Sequence, residues 1–272
     1  MFRLGLVFTI LAAACGSSDG VHHLPDAPEL GCDALVVDAA SSDLFTMDVG
    51  AVPASGFTWE LWFNAAMVPT SPVNQIQLGA TMMVAADGIS CEDSYLGFGS
   101  EMSPARELGF VLDGSGECGA RDTAPIHFAP PAGFMPNHWY FVAVSHDYGT
   151  GESKLYLDGM VVASKISTVT PITGHQAPIT LGRWTDRKNT SYNQFHGALD
   201  EVAISGRVLT DAEVVTDYGN GIGRYWTGVE PDLIVGFHFD EGAGSLAQDF
   251  AGRKHDGTLE GATWQPGIVC RQ

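Results

Sequence analysis

The chain has 272 residues, 45% of them apolar, with 33 glycines and 14 prolines: enough material for a buried core, interrupted by turns rather than built on long helices. Asp and Glu number 32 against 13 Lys and Arg, a formal net charge of −19. That balance argues against nucleic acid as a partner, since phosphate binding needs a basic surface. It fits an exported protein that its charge keeps in solution, or one that collects divalent cations.

Met1 to Ala14 reads as a signal peptide, with Arg3 as a thin positive region and Leu4 to Ala14 as an apolar run too short to span a bilayer. Ala12, Ala13 and Ala14 lead into Cys15, which resembles the bacterial lipobox, in which the cysteine is lipidated and becomes the mature N-terminus. The pattern prefers Leu where Ala12 stands. Residues 15–30 then form a polar linker beginning G-S-S-D-G, the tether of a lipid-anchored protein. The expected location is therefore exported, at the bacterial outer membrane or cell surface, with membrane attachment only through the lipid.

Ala34–Asp38 and Phe45–Val49 read as short strands. Phe57–Asn64 is stronger: Phe57, Trp59, Leu61 and Phe63 share one face, and Thr58, Glu60 and Trp62 the other. Trp62 is read as core rather than as a sugar platform. Tyr95–Gly99 and Leu108–Asp113 form a hairpin whose open ends carry Cys91 and Cys118. Ile126–Phe128 is a further short strand. Trp139–Val144 is an unbroken aromatic and β-branched run, followed by a polar loop and by Lys154–Ala163, which is broken by the Asp158-Gly159 turn; together they predict a three-strand meander. After Ile179–Arg183 comes a polar loop, in which Arg187 and Lys188 form a basic spot flanked by Trp184 and Tyr192, a mix suited to an anionic sugar or peptide. In Phe195–Ser205, strict alternation puts Asp200 in phase with Val202 and Ile204, and Glu201 in phase with Leu199. Thr210 and Glu213 make a capping box, predicting one short helix near residues 210–218. Leu233, Val235, Phe237 and Phe239 then alternate as a last clear strand.

The order W-Y-F-V-A-V, K-L-Y-L-D-G, I-T-L-G-R and F-H-G-A-L-D-E-V-A-I-S resembles the LamG-like jelly roll, kin to the laminin G, pentraxin and concanavalin A-like lectin sandwiches. The resemblance implies an all-β fold, a two-sheet antiparallel jelly-roll sandwich, and binding more often than catalysis. The tail from Leu233, with its D-E-G-A-G-S and G-T-L-E-G-A-T-W-Q-P-G, resembles the segment that opens such domains, yet here it comes last. Two readings compete: a truncated second domain, or a tail at 233–270 that folds back to complete a single domain over 31–272. About 40 residues cannot build a sandwich alone, which favours the second. The family order would set Cys270 beside Cys32; with Cys15 taken by lipid, four cysteines allow three pairings, and Cys32–Cys270 with Cys91–Cys118 is preferred. Many relatives bind calcium at the rim, which makes Asp200, Asp240 and Asp249 candidate ligands and calcium the candidate cofactor. No E-x-D-x-x-E run, H-E-x-x-H, G-x-S-x-G or P-loop is present, so an enzyme is not expected. The expected role is a binding module whose partner is a glycan or an envelope or extracellular protein.

Overall fold

The computed structural model describes residues 32–37, 44–51, 55–68, 80–85, 94–100, 103–112, 126–167, 176–182, 184–185, 191–192 and 195–271. The signal segment 1–14, the linker 15–30 including Cys15, and Cys91 and Cys118 lie outside these residues. Among the described residues no helix is long and apolar enough to cross a membrane.

The strands are β1 (Asp33–Val37), β2 (Leu44–Ala51), β3 (Gly56–Ala65), β4 (Ala80–Ala85), β5 (Ser94–Ser100), β6 (Ser103–Val111), β7 (Ile126–Phe128), β8 (Trp139–Asp147), β9 (Glu152–Leu157) and β10 (Met160–Ile166). They continue as β11 (Gln176–Leu181), β12 (Trp184–Thr185), β13 (Ser191–Tyr192) and β14 (Gly197–Ser205). After helix α1 (Asp211–Tyr218) come β15 (Leu233–Phe237), β16 (Leu246–Ala247), β17 (Gly257–Glu260) and β18 (Thr263–Pro266). The first sheet runs β10-β9-β8-β3-β14-β1-β18, with β15 also on β14; the second runs β16-β17-β2-β11-β4-β5-β6-β7. Every pairing is antiparallel, and the two sheets face each other as a jelly-roll sandwich.

The interior is built from the alternate residues that the pleat points inward. Leu35, Trp59, Phe63, Val142 and Leu199 of the first sheet meet Met82, Leu96, Phe110, Ile179 and Leu259 of the second in one buried cluster. Phe63 packs edge-on against Phe98 at 5.6 Å, and Trp59 against Phe110 at 5.9 Å, so aromatic pairs bridge the sheets. Burial of each such ring contributes roughly 1.5–3 kcal/mol. The other face of the first sheet is apolar too: Trp62, Phe141 and Tyr156 pack with Leu209, Val214 and Val269, and Trp62 stacks on Tyr218 at 5.8 Å. Trp62 is 2% exposed, covered by the end of α1, and offers no platform to solvent. The capping box is formed as expected: Thr210 Oγ1 accepts from the Glu213 amide, and Glu213 accepts from the Thr210 amide.

The phase expected along β14 is overturned. Its register with β3 slips between Asp200 and Ala203, and Glu201 sits at φ +46°. This bulge keeps Leu199, Val202 and Ile204 all in the inter-sheet core and turns both Asp200 and Glu201 to the outer face, where each is buried. Alternation had placed the two on opposite faces. The bulge is also where β14 changes neighbour, from β1 at Gly197–Leu199 to β15 at Val202–Ser205.

The tail supplies strands to both sheets. β15 pairs with β14, β17 with β2 and β18 with β1, and a disulfide joins Cys32 to Cys270 with Cα atoms 4.4 Å apart.

Candidate functional site

On the outer face of the first sheet, where β1 and β3 end and β14 begins, lies a groove of about 380 Å³. Its floor follows from register. Asn64 stands opposite Ala198, and Ala198 opposite Val36, so three outward positions fall in one row across β3, β14 and β1. β18 adds Gln265, opposite Ala34. Asn137 and His196 close the end of the groove: the Asn137 amide donates to the Ala65 carbonyl at 2.8 Å, and the Ala66 amide donates to the His196 carbonyl at 2.8 Å. Asn137 adopts φ +56°, a left-handed conformation that asparagine tolerates better than most residues. Gly197 is obligatory here. At φ +154°, a Cβ on it would lie 2.1 Å from the Asn64 carbonyl oxygen, so no side chain separates the two strands beneath the groove. Asn64, Asn137 and Gln265 thus bring three amides, each both donor and acceptor, to an apolar floor of Val36 and Ala198.

The loop expected to carry the ligand residues starts beside this groove. The Phe195 amide donates to the Gly182 carbonyl at 2.7 Å and pinches the loop shut one residue before His196. Within it, β12 and β13 pair so that Trp184 is the register partner of Tyr192. Two of the four expected ligand residues are therefore cross-strand neighbours; Arg187 and Lys188 lie outside the described residues. Sequence reasoning missed Asn64, Asn137, His196 and Gln265, because isolated amides carry no motif. The available signal was that Asn64 falls in the outward phase of β3.

Each of the three carboxylates expected as calcium ligands accepts from backbone amides or a hydroxyl, and Asp240 is near enough to Asp200 to raise it. Asp200 accepts from the amides of Glu201, Ile268 and Val269 at 2.9, 2.8 and 3.1 Å. Burial still pushes it up to about 7, against the pull of those amides. Asp240 accepts from the Asp33 amide and the Tyr225 hydroxyl. Asp249 accepts from four backbone amides, those of Gly236, Ala251, Arg253 and His255. Among the described residues no group of three or more His, Cys, Asp or Glu side chains is arranged to hold a metal ion.

A second cavity, of about 290 Å³, lies between α1 and residues 224–231. Its charged side chains answer one another: Arg207 grips Glu213 through both terminal nitrogens, and Arg224 bridges Asp217 at 3.1 Å and Glu230 at 2.8 Å. Glu60 is 1% exposed on the same face, and among the described residues neither of its carboxylate oxygens has a hydrogen-bond partner. Burial and the nearby Asp217 hold it well above the usual carboxylate range. Asp217 itself is pushed up to about 6 by burial, against the pull of Arg224.

Residues 38–215 match the family model described as the concanavalin A-like lectin/glucanases superfamily. Among solved structures, the chain is similar to a protein of Bacteroides ovatus ATCC 8483 assigned as carbohydrate-binding, with a TM-score of 0.65 and 18% identity, covering 90% of this chain and 62% of that one. It is also similar to the native heptameric SAP-like pentraxin of Limulus polyphemus, with a TM-score of 0.55 and 10% identity, covering 89% and 98%. At these identities the likeness shows the fold. The chain spans 62% of the length of the Bacteroides protein. No curated protein matches the sequence.

Proposed function

The chain belongs to the concanavalin A-like lectin/glucanases superfamily, and from that membership we propose that it is a non-catalytic carbohydrate-binding module displayed outside the cell. The observation that carries this reading is the groove at the end of β1, β3, β14 and β18, where three amides and an imidazole edge an apolar floor. Sugars present hydroxyls that both donate and accept around apolar ring faces, and this lining matches them. The Bacteroides protein of the same fold that is assigned as carbohydrate-binding is consistent with it. The carboxylates that sense one another's charge, Glu60 with Asp217 and Asp200 with Asp240, do not line the groove. That arrangement favours binding over hydrolysis, which needs two carboxylates facing one bond.

Export rests on the Met1–Ala14 segment and on the Cys32–Cys270 disulfide, which an oxidising compartment permits. Lipid attachment rests on Cys15 behind its small residues. Intact mass of the protein purified from membranes tests this: a diacylglyceryl adduct on an N-terminal Cys15 supports it, and an unmodified soluble chain overturns it. Calorimetric titration with an oligosaccharide panel tests the binding reading, which absence of heat from every sugar would overturn.

A second reading, an envelope protein partner, draws on the edge strand β10. Met160 and Ile166 are each 67% exposed there and Val161 42%, on the strand that ends the first sheet among the described residues.

A further inference from the structure

We infer that the groove selects an uncharged saccharide and rejects acidic ones. This rests on the carbohydrate-binding reading and narrows it to a ligand class.

The argument starts from what the lining lacks. Among the described residues that line the groove, none is Asp, Glu, Lys or Arg, and His196 is the one ionisable side chain. A carboxylate or sulfate moved from water into such a site would leave its hydration without a guanidinium or ammonium to replace it, a loss that neutral amides do not make good. An amine would lack the carboxylate it needs for the same reason. A hydroxyl, by contrast, gives one hydrogen bond and accepts others. The amides of Asn64, Asn137 and Gln265 offer both kinds of partner without charge.

The field around the groove acts in the same direction. The chain carries a formal net charge of −19, so an anion approaches against the protein's own potential, and more so at low salt. The other cavity on this face shows the alternative design. There Arg207 and Arg224 are present, but each is held by carboxylates, Glu213 for the first and Asp217 with Glu230 for the second, so no unpaired cation is offered to an anionic sugar. The basic spot at Arg187 and Lys188 points to an anionic ligand; the groove beside that loop points to a neutral one, and the test separates the two.

The test uses the full chain and a matched panel: neutral glucose-, galactose-, mannose- and N-acetylglucosamine-containing oligosaccharides, with sialylated, sulfated and uronate-bearing counterparts. The expected result is binding of neutral members, with affinity nearly constant from about 50 to about 500 mM salt. Asn64→Ala and Gln265→Ala should each weaken it about tenfold, the loss of one or two hydrogen bonds. Unchanged melting temperatures in the two variants would show that folding is not the cause, and Arg187→Ala should leave affinity intact. Binding confined to acidic sugars, falling with salt and lost in Arg187→Ala, would overturn the inference and leave the carbohydrate reading standing. Neutral binding indifferent to both amide substitutions would remove the groove as the site. Silence across the whole panel would overturn both readings together.

Discussion

Nδ1 of His238 lies 2.6 Å from Oε1 of Glu201; the carboxylate is buried and the imidazole partly so. The imidazole is stacked between Tyr225 at 3.9 Å and Phe250 at 4.1 Å. Burial lowers His238 to about 4, and burial together with the nearby Asp200 and Asp240 raises Glu201 well above its ordinary value. Burial works against the charged form of both partners, and the contact exists because the bulge in β14 turns Glu201 toward β15's end rather than into the core.

That pair belongs to a wider set, from which the pH dependence of stability follows. Glu60, Asp200, Glu201 and Asp217 all have raised folded-state values, so their contribution is full below the unfolded carboxylate range of about 4. It is lost as pH climbs through about 6 for Asp217 and about 7 for Asp200. His238 acts oppositely: its contribution is full above about 6.5 and falls away as pH drops toward about 4. Four carboxylates outweigh one imidazole. Thermal melts across this range should show the highest melting temperature near about pH 4 and a lower one at pH 8. A melting temperature that climbs steadily into the alkaline range would mean these carboxylates are ionised and paired in the fold.

Glu60→Gln isolates one member. Among the described residues neither carboxylate oxygen has a hydrogen-bond partner, so the amide gives up no hydrogen bond and removes a charge that burial resists. The variant should melt higher than the parent at pH 8, at about 2–4 °C per kcal/mol gained, and converge with it near about pH 4. Equal destabilisation at both pH values would show that the carboxylate has a stabilising contact.

Cys32→Ser opens a loop whose ends are 238 residues apart in sequence. Chain entropy puts the loss at about 5.5 kcal/mol, an upper figure. Because β18 lies directly beside the bridge and carries Gln265, sugar affinity should fall in reducing buffer before the fold melts. Melting and binding curves recorded with and without reductant check both, and coincident loss of the two would show that the tail is not separately released.

Gly197→Ala and Gly133→Ala form a controlled pair. Both glycines have positive φ, +154° and +76°, but a Cβ at 197 meets the Asn64 carbonyl at 2.1 Å, whereas at 133 nothing lies within 4 Å. The first substitution should cost about 3 kcal/mol or more and distort the groove; the second should cost about 1 kcal/mol. Similar losses by urea titration would sink the assignment of Gly197 to strand approach.

Asp249→Ala leaves four backbone amides without their acceptor, a loss of about 2–4 kcal/mol. With the three candidate carboxylates already taken by amide and hydroxyl donors, millimolar calcium is expected to leave the melting temperature unchanged. A calcium-dependent rise would establish a site built from other oxygens.

Much of this architecture is legible in the residues themselves. Phe57, Trp59, Leu61 and Phe63 alternate because one face of β3 lies between the sheets, and the capping box at Thr210 and Glu213 marks the helix by itself. The bulge at Asp200–Glu201 is not legible, since it arises from β14 serving β1 and β15 in succession, a demand that the neighbours make. β4, A-T-M-M-V-A, has no alternation to read. The groove is the least visible feature. Its amides stand at residues 64, 137 and 265, far apart in the chain, and only register brings them together.

The Cys32–Cys270 bridge also decides how the fold takes a mechanical load. β1 begins at Asp33 and β18 ends at Pro266, side by side and antiparallel. Tension drawn through the segment before Cys32 enters both strands at once, through the backbone of one and the bridge to the other. β1 cannot then be unzipped alone, bond by bond; the two strands must shear together along β14, the mode in which many hydrogen bonds share the force.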